Sequence, residues 1–157
     1  MDAASELRQA HRTAVLITGG LITGLVMYAV IASVFRMSHA PSEGVASLPA
    51  PQMTFARYAA WIASGVVVLT IPGLKRWLLT RRSDETRQRG IARLTLATVA
   101  VAGLAEFPAI AGFILVVLGG LFFDFYLLGS LSLALLLANA PRYEAWETWL
   151  ATPAPRP

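Results

Sequence analysis

Charge-free apolar runs dominate the chain and set its predicted elements. Thr13 to Phe35 is 23 residues without a charge, and about 20 residues cross the hydrocarbon core of a bilayer as a helix. A second run, Tyr58 to Leu74, lies between Arg57 and Lys75 and is 17 residues long. Trp61 and Trp77 stand near its ends, where indoles favour the membrane interface. From Leu94 to Phe123 one charge, Glu106, interrupts 30 residues, and Asp124 separates this block from the run Phe125 to Ala140. Gly119-Gly120 is the strong turn signal inside it. The expected spans are therefore 13–35, 58–78, 94–118 and 121–140, four transmembrane helices of one all-α membrane bundle, a single domain over 1–157. Barrel strands would alternate polar and apolar residues, and VVVLTI and LSLALLL do not.

The polar stretches read as connections. Pro41, Ser42, Gly44, Pro49 and Pro51 mark the first loop as chain without a core of its own. The segment RRSDETRQR, 81–89, is polar enough to extend either flanking helix by a turn. In the tail, 141–150, Tyr143, Trp146, Trp149 and Leu150 recur at spacings of three and four. That spacing predicts a short amphipathic helix lying at the interface, with Glu144 and Glu147 facing water. Ser38-His39-Ala40 weakly resembles a leader-cleavage site, but the apolar run before it exceeds a usual leader core and Pro41 would follow the cut. The first span is read as a permanent helix.

Composition agrees with the pattern. Of 157 residues, 56% are hydrophobic and 14% charged, against about 25% charged in a soluble domain, and the mean hydropathy is +0.61. Too little charge remains to coat a water-facing surface. Charge also orients the chain. Of 13 basic residues, Lys75, Arg76, Arg81, Arg82, Arg87, Arg89 and Arg93 lie in the middle loop, and Arg8, Arg12, Arg142 and Arg156 lie in the terminal segments. Arg36 and Arg57 alone flank the first loop. With four spans, eleven basic residues share one side, which the positive-inside rule makes cytoplasmic. The expected location is the inner, cytoplasmic membrane, multi-pass, with both termini inside. The seven middle-loop cations are expected on anionic lipid headgroups, not on nucleic acid, because no aromatics interleave them.

Chemistry is sparse. There are no cysteines, which excludes thiolate metal sites and cysteine nucleophiles. His11 and His39 are isolated in sequence and read as solvated loop residues, so neither a metal nor another cofactor is expected. Glu106 is the exception: it stands twelve residues from Leu94 and twelve from Leu118, near the expected midplane. A carboxyl facing lipid there costs about 2.5–3.5 kcal/mol, so it must be protonated, paired or turned toward other helices. Pro108 has no N–H, which leaves the Leu104 carbonyl without its usual partner half a turn away. Glu106, Leu104 and Pro108 form the candidate ion- or proton-binding set; the simpler role for Glu106 is a hydrogen bond to a neighbouring helix. Gly20 and Gly24 form a G-x-x-x-G, and Ala109 and Gly112 lie on the Glu106 helix at a spacing of three, so these four are candidates for close helix packing.

The stretch around Glu106, AEFPAIAGFILVVLGG, resembles the carboxylate helix of rotor-ring proteolipids, subunit c of vacuolar- and archaeal-type ATPases. Glu106, Ala109, Ile110, Gly112, Ile114 and Leu115 carry the likeness, and a polar basic loop precedes that helix as in the family. The resemblance implies a glutamate that binds a proton or sodium ion at mid-membrane. The chain departs from it in carrying the glutamate on the third helix and in having few glycines on the second.

Two readings follow. One is a non-enzymatic integral membrane subunit or scaffold that packs against other membrane subunits or its own copies. The other is proton or cation translocation by a c-like ring or channel component. An enzyme at the membrane surface would have to draw on Asp84, Glu85, Asp124 or Glu144, each more simply an interfacial or solvated charge.

Overall fold

Five helices follow one another in a computed structural model that describes residues 3–38, 49–80 and 86–152. They are α1 (Ala3–Ser38), α2 (Ala50–Leu79), α3 (Arg87–Gly119), α4 (Phe122–Ala138) and α5 (Tyr143–Ala151). Three of them, α1, α2 and α3, are long and apolar enough to cross a membrane. The number rises to four if α4 and α5, bent by 49° across a short break, are taken as one span. At 17 residues α4 is about 25 Å long, slightly short of a hydrocarbon core of about 30 Å.

The helices outrun the apolar runs that predict them. The start of α2 moves back to Ala50 because Pro51 falls in its first turn, where a missing N–H costs nothing and the fixed φ suits a helix. The polar ends of α1 and α3 also continue as helix, since Glu, Gln, Arg and Ala are good helix formers. Gly120 closes α3 as expected. It takes the left-handed conformation, φ 64° and ψ 25°, and its N–H reaches the Val116 carbonyl at 2.8 Å.

α3 is the central element. It packs on α1, α2, α4 and α5, whereas α1 and α2 share no substantial seam. A helix enclosed on several sides has no single apolar stripe, and α3 buries small residues around its circumference: Ala97, Ala102, Ala105, Ala109 and Gly112. The α4 backbone comes close at Gly112, where an added Cβ would stand 3.0 Å from the Phe125 Cα and 3.2 Å from the Leu128 Cβ. Gly24 faces Glu106, and a Cβ at Gly20 would meet nothing within 4 Å.

The outer faces of the long helices are apolar. Leu16, Val26 and Val34 of α1, Ile62, Val66 and Leu69 of α2, and Leu96, Ile110 and Ile114 of α3 are exposed. Hydroxyls along the helices turn back to their own carbonyls four residues earlier, as with Thr18 to Ala14, Ser33 to Ala29, Ser64 to Ala60 and Thr70 to Val66. That bond satisfies a polar side chain without water.

The beginning of α1, the end of α2, the beginning of α3 and α5 meet in one cluster of Leu7, Ala14, Ile91, Leu94 and Trp146, with Leu79, Tyr143, Trp149 and Leu150 against it. The tail helix thus docks on protein instead of laying its aromatic face on lipid. Trp146 is 5% exposed, the Trp149 indole donates to the Leu79 carbonyl at 3.2 Å, and Gly90 leaves room for Leu150 and Trp149. Glu144 and Glu147 are exposed. His11 is no solvated loop residue. It lies in α1, half-buried, with its ring edge-on to Tyr143 and Trp146 at 5.5 Å each and its Nε2 3.2 Å from the Pro141 carbonyl.

Candidate functional site

Two carboxylates, at different levels of the bundle, organise its polar contacts. Glu106 lies well inside α3 and is half-buried. Its side chain turns toward α1, where the Tyr28 hydroxyl donates to Oε1 at 3.3 Å. Gly24, four residues before Tyr28, opens the space: its missing Cβ would lie 3.5 Å from the same oxygen. The Tyr28 ring stacks on Phe113 at 5.4 Å, and Phe113 meets Phe125 edge-on at 6.2 Å, so the aromatic column fixes where the hydroxyl points.

Pro108 is buried in the same region, and the group that enters the α3 ladder there comes from α4. Ser132, 0% exposed, accepts the Ala109 N–H at 2.9 Å and donates to the Glu106 carbonyl at 3.4 Å. The inserted hydroxyl pairs with α3 backbone groups on either side of Pro108. Leu104 is half-buried, with its side chain against the cluster of Ile71, Val101, Ala102, Ala105 and Leu136. Ala109 and Gly112 are buried along α3. The structure thus gathers Glu106, Pro108, Ala109 and Gly24 at the meeting of α1, α3 and α4, joined by Tyr28 and Ser132, which the apolar runs conceal.

Among the described residues the fully buried acid is Asp124, not Glu106. Asp124 is 2% exposed, so it is not a solvated interfacial charge. Its Oδ1 accepts from Arg57 Nε at 2.9 Å and from the Trp61 indole at 2.8 Å. Arg57 and Trp61 are four residues apart on α2 and share a face. Asp124 sits in the first turn of α4, where the helix dipole also favours a negative charge. Trp61 therefore anchors an ion pair whose acid is buried. Two signals in the sequence point to it: the i, i+4 pair on α2, and an acid directly after the Gly119-Gly120 turn.

The basic side chains gather at one end of the bundle. Lys75 and Arg76 close α2, Arg87, Arg89 and Arg93 open α3, and Arg142 precedes α5. Lys75 Nζ donates to Asn139 Oδ1 at 3.3 Å, and Arg93 donates to the Thr80 carbonyl. Arg81 and Arg82, also expected there, lie outside the described residues, as do His39, Asp84 and Glu85. Arg36, over the Phe122 ring at 5.9 Å, and Arg57 belong to the opposite end. Among the described residues no group of three or more His, Asp or Glu side chains converges as a metal site would need.

The chain matches no protein-family model, no curated protein and no solved structure.

Proposed function

We propose that this chain is a four-span integral membrane protein of the inner membrane, and that it serves as a non-enzymatic subunit or scaffold of a membrane complex. α1, α2 and α3 cross fully, and α4 with the bend into α5 makes the fourth span. Support for the membrane comes from outward-facing apolar residues on every long helix. Support for the orientation comes from the basic residues gathered at the end that holds the start of α1 and α5.

The observation that carries the scaffold reading is the Tyr28–Glu106 hydrogen bond. The midplane carboxyl is turned to another helix of its own chain, and Asp124 and Ser132 are likewise spent on helix–helix contacts. Small residues and interhelical hydrogen bonds are what holds helices together in lipid. The test is purification in a mild detergent followed by mass spectrometry of wild type and Glu106→Leu. Defined heterologous partners, lost or loosened in Glu106→Leu, support the reading. A homogeneous ring of many copies of this chain refutes it.

Translocation of a proton or cation is the second reading, favoured by one feature: among the described residues only Oε1 of Glu106 has a donor. The resemblance to rotor-ring proteolipids points the same way. Carbodiimide labelling of Glu106 that sodium suppresses and mild acid promotes supports it, and labelling indifferent to both counts against it.

A further inference from the structure

Between the ends of α2 and α3 and the joint of α4 with α5 lies a cleft of about 290 Å³. Leu94, Ala97 and Val101 of α3 supply an apolar floor, and Lys75 and Arg142 stand on its wall. No carboxylate lines it, and neither cation is ion-paired with a carboxylate among the described residues. Asn139 holds Lys75 in place. Its amide nitrogen is committed to the Leu135 carbonyl at 2.9 Å and its oxygen to Lys75 Nζ at 3.3 Å. One of the three ammonium protons is thereby used, and the others remain for a ligand. Trp146 and Trp149 complete the wall from α5, itself fixed by the Trp149 bond to Leu79.

We propose that this cleft is a discrete site for one anionic phospholipid, with the phosphate against Lys75 and Arg142 and the first part of an acyl chain over Leu94, Ala97 and Val101. The proposal rests on the membrane reading above. Positive charge above an apolar floor, at the basic end of the spans, matches an amphiphile with an anionic head. A guanidinium and an ammonium together suit a phosphate. The volume lies at the small end of small-molecule sites, room for a headgroup and the start of a chain and not for a whole lipid. This site differs from diffuse attraction to the middle loop, because it commits two particular side chains from distant parts of the sequence.

The experiment is native mass spectrometry of the detergent-purified full chain, titrated with phosphatidylglycerol, phosphatidylcholine or inorganic phosphate. Wild type is expected to retain one phosphatidylglycerol in preference to phosphatidylcholine, with no displacement by phosphate. Lys75→Gln/Arg142→Gln weakens that binding about thirtyfold, the loss of two basic contacts. Arg87→Gln/Arg89→Gln removes equal charge from exposed positions at the same end and leaves it within about twofold. Ala145→Phe, at an exposed position on the cleft rim, blocks binding with every charge intact. Equal losses in the two double variants, equal retention of the two lipids, or displacement by inorganic phosphate each overturn the proposal. Alkaline carbonate extraction, run alongside, reads the membrane assignment separately. Release of wild type by carbonate overturns that assignment, whereas retention with undiminished lipid binding in the cleft variants overturns the cleft alone.

Discussion

Replacing Arg57 by glutamine strips the ion pair from the side that water can reach and leaves the charge that it cannot. Asp124 is 2% exposed, and the Arg57 side chain is 49% exposed. In Arg57→Gln the carboxylate keeps the Trp61 indole at 2.8 Å and the first-turn dipole of α4, the latter worth about 0.3–1 kcal/mol. Breaking a buried pair from one side costs about 3–5 kcal/mol. Here the half-exposed guanidinium is already partly screened, so about 2–3 kcal/mol is expected. Asp124→Asn is the milder change. The amide oxygen still accepts from Trp61, no buried charge is orphaned, and Arg57 hydrates at the surface, for a loss of about 1 kcal/mol. The double variant then costs little more than Asp124→Asn, a coupling of about 2 kcal/mol. For a chain of this size each kcal/mol moves the unfolding midpoint by about 2–4 °C. Circular dichroism melts in one detergent at one ionic strength therefore place Arg57→Gln about 5–10 °C below wild type and Asp124→Asn a few degrees below. An Asp124→Asn midpoint as low as that of Arg57→Gln, or additive losses in the double variant, refutes the reasoning.

Three further outcomes follow from the packing. Gly112→Ala gains helix propensity but drives a Cβ to 3.0 Å from the α4 backbone at Phe125; overpacking wins, with a net loss of about 1–3 kcal/mol, read as a lowered midpoint, while Gly20→Ala, with open space around it, is neutral or slightly stabilising. Ser132→Ala withdraws the acceptor from the buried Ala109 N–H and costs about 1–3 kcal/mol, accompanied by faster amide exchange around Pro108. His11→Ala removes the ring between Tyr143 and Trp146 and frees α5, so limited proteolysis cuts after residue 141 sooner than in wild type, with the rest of the bundle unchanged.

The order and rough extent of the helices were legible because apolar runs are local and long, and because a Gly-Gly turn has few alternatives. The polar contacts were not, and the reason is distance along the chain. Arg57 and Asp124 are 67 residues apart, Tyr28 and Glu106 are 78, and His11 and Pro141 are 130. Periodicity tells which face a residue shares, not which helix that face meets. Ser132 is the partial exception. On α4 the buried positions run Phe125, Leu128, Ser132, Leu136, so a hydroxyl occupies a core position in an otherwise apolar stripe, a mismatch that marks a polar contact. The tail misled for a related reason. An aromatic stripe suited to a lipid surface is equally suited to the ends of three helices, and the N-terminal extension of α1 supplies Leu7 and His11 to receive it.

The polar contacts also account for how such a bundle fixes one arrangement. Apolar faces pack interchangeably, so burial alone selects neither partner nor register, whereas a polar group that must find its acceptor does. Polar links join α2 to α4, α1 to α3 and α4 to α3, at three levels of the bundle. Arg57 and Trp61 tie α2 to α4 near the α3–α4 turn, Tyr28 ties α1 to α3 and Ser132 ties α4 to α3 near the middle of the bundle, and Lys75–Asn139 ties α2 to the end of α4 at the basic end. Since α1 and α2 share no substantial seam, neither can be positioned by the other. Each is set against the α3–α4 pair and the turn that follows it through its own side chains: α1 by His11 at the Pro141 carbonyl, Tyr28 at mid-helix and Arg36 over the Phe122 ring, α2 by links at both ends. α1 thus depends on three side chains of different chemistry spread along its length, and the Tyr28 hydroxyl is the one whose polar bond reaches α3.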